Sequence, residues 1–145
     1  MSVLSSEPRA HRTLRLWDWG IAYMAAWLAP LALGLLMIVF HMLVSTALAG
    51  TGAPMFRMAS YFLATALTIS PAFTWIGLSL SVPIVLGLLM RGWFGWLPAI
   101  LAGAASGTMA TALMGGLGSA IGPAFGAGAG LVFWLTLHWR RPDLV

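Results

Sequence analysis

Four apolar runs, separated by short polar or glycine-rich breaks, fill the chain from Trp17 onward. The first, Trp17–Ala49, is over 30 residues long. About 20 apolar residues suffice to cross a bilayer, so this run must tilt, kink or protrude, and Pro30 is its kink point. Gly50–Pro54 is a turn by composition. Between Arg57 and Arg91 lie 33 uncharged residues, Met58–Met90, interrupted by Pro71 and Pro83. A straight helix of that length would reach ~50 Å. We expect one crossing over about Ile69–Met90, preceded by a helical extension from about Phe56 to Thr68. The alternative is a re-entrant hairpin around Pro71, which a membrane tolerates where backbone lines a cavity. Arg91-Gly-Trp-Phe-Gly-Trp then makes an interfacial turn. A third run covers 94–114, and a fourth covers 120–139 before Arg140, Arg141 and Pro142 stop it.

This pattern predicts an all-α polytopic membrane protein. A cytoplasmic N-terminal arm (1–16) precedes a transmembrane domain (17–141) with spans at about 17–49, 58–90, 94–114 and 120–139, and a tail (142–145) follows. Small residues recur every four positions in several runs. Ala22, Ala26, Pro30 and Gly34 do so in the first; Ala99, Gly103, Gly107, Thr111 and Gly115 in the third; Gly118, Gly122, Gly126 and Gly130 around the fourth. Positions i and i+4 share a helix face, and a face without Cβ atoms lets a neighbouring helix approach closely. Gly103, Gly107, Gly122, Gly126 and Gly130 are therefore expected to pack the third and fourth spans together. Pro123 would suit the first helical position, but a helix starting there would leave only seventeen residues before Arg140, at the lower limit for spanning, so the last helix is expected to begin near Ala120.

Composition sharpens the class. Hydrophobic residues make up 61% of the 145 and charged residues only 7%, which excludes an ordinary water-soluble domain. Lys, Asn, Gln and Cys are absent; the bias resembles that of a GC-rich bacterial genome, and we expect the bacterial inner membrane. The seven arginines flank apolar runs instead of forming one patch, which argues against nucleic-acid binding. With four crossings, Arg9, Arg12, Arg15, Arg91, Arg140 and Arg141 would share one side and Arg57 the other. The positive-inside rule then puts both termini in the cytoplasm.

Candidate chemistry is sparse. With no Asp or Glu expected inside a span, ion-coupled transport lacks its usual carboxylate. His41 and His138 should lie at opposite membrane faces, about the ~30 Å hydrocarbon thickness apart, so they cannot clasp one haem within a monomer. A haem between two copies through His41 is conceivable; otherwise His41 contacts a neighbouring helix. No nucleophilic triad, metal-ligand spacing or phosphate loop is present in the spans. We expect no enzyme, no metal and no dedicated cofactor, with bound lipid and an open question of a quinone or pigment contact near His41, Tyr61 or Trp75. Trp27 and Trp75 sit deep in their runs, where a partner contact is more natural than an interface anchor. The expected function is an accessory or assembly subunit of a larger membrane complex (respiratory, photosynthetic or transport), with other membrane subunits as partners. The alternative is a homo-oligomeric channel or carrier for a neutral or weakly polar solute, for which the broken long run and the hydroxyls of Ser60–Ser81 speak.

Overall fold

In the computed structural model, residues 15–47, 54–115 and 120–142 are described, and among them the chain is all-helical, with five helices. These are α1 (Leu16–Ala47), α2 (Pro54–Ile69), α3 (Pro71–Met90), α4 (Trp96–Leu113) and α5 (Ile121–Arg140). Three are long and apolar enough to cross a membrane: α1, α4 and α5. The bent pair α2–α3 makes a fourth if it counts as one crossing. The arm 1–14, Gly118 and the residues after Pro142 lie outside the described residues.

The two prolines of the long central run behave differently. Pro83 sits inside α3 without ending it, whereas the chain bends by 61° between α2 and α3 at Ser70–Pro71. Pro71 has no N–H to give the carbonyl of Leu67. Ser70 supplies the missing donors, with its Oγ 2.8 Å and its backbone N 3.3 Å from that oxygen. α1 braces the break from the side: Trp27 Nε1 donates to the carbonyl of Pro71 at 2.8 Å. Two helix turns further along α1, Gly34 lies against the backbone N of Thr68, where a Cβ would come within 2.6 Å. Trp27 is half-buried, with its indole N–H committed to Pro71.

Where α3 ends, Gly92 takes φ +69° and the N–H groups of Gly92 and Trp93 close back on the carbonyls of Leu89 (3.1 Å) and Leu88 (2.9 Å). That pair of bonds is a glycine-terminated helix cap. It turns Phe94 inward: Phe94 is fully buried and precedes α4 instead of opening it.

α4 and α5 form the closest antiparallel pair. A Cβ built on Gly103 would overlap the carbonyl oxygen of Gly126, and one on Gly107 that of Gly122. The reverse substitution at Gly126 would overlap Gly103, and at Gly130 it would overlap Ala99. In each case the obstacle is backbone, which cannot swing aside. α1 packs on α5 and α2, and α3 on α4.

The start of α1 and the end of α5 meet. No carboxylate is expected inside a span, yet Asp18, at the very start of the 17–49 run, lies buried in the first turn of α1, with Arg140 Nε 2.9 Å from its Oδ1. Arg140 is the last residue of α5 and not merely a stop after it. A carboxylate so removed from water needs a charged or hydrogen-bonding partner, and the far end of the chain provides it. The start of α1 and the end of α5 therefore share one end of the bundle. Trp19, Phe133 and Phe94 pack above this pair, with ring centres 5.5 Å apart for Trp19–Phe133 and 6.2 Å for Phe94–Phe133.

Candidate functional site

A cavity of about 330 Å³ lies between α3, α4 and α5. Its shape follows from the packing already described. α4 and α5 close on each other through glycine, and α3 leans on α4, so a wedge of space remains along the inner face of α3. At one end Ser70, Met114 and Ile121 ring it; at the other, Val85, Ala99 and the edge-to-face pair Phe94–Phe133 close it. The buried Leu89 and Leu137 belong to the same core cluster as that aromatic pair. The cavity is blind at this end.

Its lining is apolar except for five hydroxyls, those of Ser70, Thr74, Ser81, Ser106 and Thr111. Four of them give their proton to a carbonyl of their own helix: Ser70 to Leu67 (2.8 Å), Ser81 to Leu78 (2.7 Å), Ser106 to Ala102 (2.8 Å) and Thr111 to Gly107 (3.0 Å). What they have left to offer is oxygen lone pairs. Thr74 Oγ1 is buried and has no hydrogen-bond partner. Among the described residues no charged side chain lines the cavity. No three His, Asp or Glu side chains gather there or elsewhere among them.

The residues singled out for a cofactor lie apart from this cavity. His41 is in the last third of α1, with Nδ1 3.0 Å from Ser60 Oγ and its ring centre 5.8 Å from that of Tyr61. Ser60 Oγ in turn donates to the carbonyl of Arg57 at 3.0 Å. A hydroxyl has one proton, so Nδ1 of His41 is the donor in the first contact. Tyr61 is exposed on α2. Trp75 lies beyond the break, on α3, 54% exposed and outside the cavity lining. The structure brings His41 and Tyr61 together. His138 stacks on Trp134 at 5.0 Å, two residues before Arg140. His41 is 23 residues along α1 from Asp18, about 35 Å at 1.5 Å per residue, so the two histidines lie at opposite ends of the bundle.

The five glycines expected to pack the third and fourth spans together also border the cavity: Gly103, Gly107, Gly122, Gly126 and Gly130 all line it. Of the hydroxyls of Ser60–Ser81, those of Ser70, Thr74 and Ser81 reach it, whereas Ser60, Thr65 and Thr68 bond along α2. The hydroxyls of Ser106 and Thr111 are not among the groups singled out from the sequence; their signal is their position one residue before and four residues after Gly107.

Length, apolarity and helical structure define a helical membrane protein, with three to four candidate spans. Compared with protein-family models, curated proteins and solved structures, the chain has no match.

Proposed function

We propose that the chain is a non-catalytic subunit that helps assemble or stabilise a larger membrane complex of respiratory, photosynthetic or transport type. The observation that carries this is the outer face of α2. This helix packs chiefly on α1 and leaves Met55, Phe56, Met58, Tyr61 and Phe62 uncovered. At 16 residues it is about 24 Å long, short of the ~30 Å hydrocarbon. Methionine and aromatic side chains are favoured in the centres of protein contacts, and methionine adapts to irregular partners. Lipid alone accounts less well for a short helix that turns two methionines and three aromatic rings outward.

Four crossings with both termini in the cytoplasm of a bacterial inner membrane fit this role. What supports four is the Asp18–Arg140 contact. If α2–α3 entered and left on one side, α5 would end on the face opposite the start of α1, and the two side chains would stand a membrane apart. The six-to-one split of arginines supports the orientation.

The test is capture of the tagged chain from native membranes in mild detergent, beside a Met58→Ala/Phe62→Ala variant. We expect other subunits to co-purify with the natural chain and to be lost with the variant, whose thermal midpoint stays unchanged. The blind, hydroxyl-lined cavity favours a second role, a carrier for a neutral solute. If the chain emerges alone or only with its own copies, and moves such a solute into liposomes, the carrier role replaces the subunit role.

A further inference from the structure

We propose that the cavity between α3, α4 and α5 binds a neutral apolar molecule bearing a hydroxyl group, with the hydroxyl at Thr74 and the apolar body directed toward Phe94 and Phe133. The inference stands whether or not the chain has subunit partners. Its size comes first. At roughly 30 Å³ for each non-hydrogen atom, the volume of a water molecule in the liquid, 330 Å³ holds about ten such atoms. That is at the small end of ligand pockets, which run from about 300 to 1,000 Å³. It suits a chain of about ten carbons, or that length of a longer lipid alcohol.

Polarity narrows the class. A charged headgroup would be stripped of water with no opposite charge to meet it, a costly exchange. A plain hydrocarbon would leave Thr74 Oγ1 without a partner; the atom is covered in the rotamer present, so a turn of its side chain about Cα–Cβ brings the hydroxyl to the ligand. The protons of Ser70, Ser81, Ser106 and Thr111 are spent on their own helices, so the wall presents acceptors. The fitting head is one that donates a hydrogen bond, and can accept the free proton of Thr74. An alcohol does both, and an ether or ester only accepts. Leu78, Val85, Ala99 and Phe133 line the path to the closed end, and all four are buried and apolar.

The experiment uses the full chain in phosphatidylcholine vesicles and a ten-carbon primary alcohol carrying a photoreactive diazirine in mid-chain. After irradiation, mass spectrometry locates the attachment. Labelling is expected on the cavity wall, at residues such as Leu78, Val85 and Phe133, and is expected to be displaced by decan-1-ol but not by methyl decyl ether or decane. Thr74→Val keeps the shape and removes a hydroxyl that has no partner, so the fold is retained, with a thermal midpoint equal to or above that of the natural chain. The same variant should label about fivefold less, the loss expected for one neutral hydrogen bond. Labelling spread over outward-facing residues such as Leu36 and Phe62, equal displacement by the ether, or undiminished labelling of Thr74→Val would each overturn the proposal.

Discussion

Asp18 and Arg140 are separated by 122 positions in the chain and by 2.9 Å in the fold. The side chain of Asp18 is 8% exposed and that of Arg140 34%. Removing either partner therefore has unequal consequences. Arg140→Gln leaves a carboxylate buried and uncompensated, whereas Asp18→Asn leaves a half-exposed guanidinium that reaches water. Breaking a fully buried pair costs about 3–5 kcal/mol; solvent at the arginine lowers this to about 2 kcal/mol for Arg140→Gln. Thermal unfolding in detergent should rank Asp18→Asn and the double variant together, with Arg140→Gln clearly less stable than both. Equal stability of the two single variants would mean that the pair is not what holds the ends together. From sequence, Asp18 looks like one more interfacial residue between Trp17 and Trp19. Nothing local marks it as buried, because its burial is made by α5.

At the scale of the helix, what matters is which residue lies across the gap. Gly107 and Gly126 face backbone, whereas nothing lies within 4 Å of a Cβ at Gly128. Gly107→Leu should separate α4 from α5 and lower stability by about 3 kcal/mol, at the upper end of ordinary overpacking. Gly128→Ala should leave it unchanged or raise it, since alanine favours helix. Thermal midpoints of the two purified variants check this, and similar losses at both positions would contradict the close approach. The long apolar helices were legible in the sequence, because hydrophobic run length and glycine spacing are local properties. The site of the bend was legible only in part. Pro71 and Pro83 both stand in apolar surroundings, and their fates differ through contacts made by another helix: Trp27 and Gly34 of α1 engage the chain at the first, while Pro83 is exposed on a helix that continues through it. The cavity was hidden for the same reason. Its hydroxyls come from α3, α4 and the break at Ser70, and only their convergence gives Thr74 a meaning that Thr65 lacks.

For the molecule as a whole, everything depends on how often the chain crosses the bilayer. The turn after α3 decides it. If α2 and α3 together make one crossing, this turn lies on the same side as the start of α1 and the end of α5; if they make a hairpin, it lies with the start of α2. The natural chain has no cysteine, so single reporters can be placed without background. Leu16, Met55, Trp93 and Trp139 are all exposed and sit near the ends of their helices or in the turn between them. The direct measurement is labelling of Leu16→Cys, Met55→Cys, Trp93→Cys and Trp139→Cys by a membrane-impermeant maleimide, in intact cells and in inverted membrane vesicles. We expect Met55→Cys to react in intact cells, and Leu16→Cys, Trp93→Cys and Trp139→Cys to react only in inverted vesicles. Reaction of Trp93→Cys from the same side as Met55→Cys would contradict the four-crossing bundle and the orientation built on it.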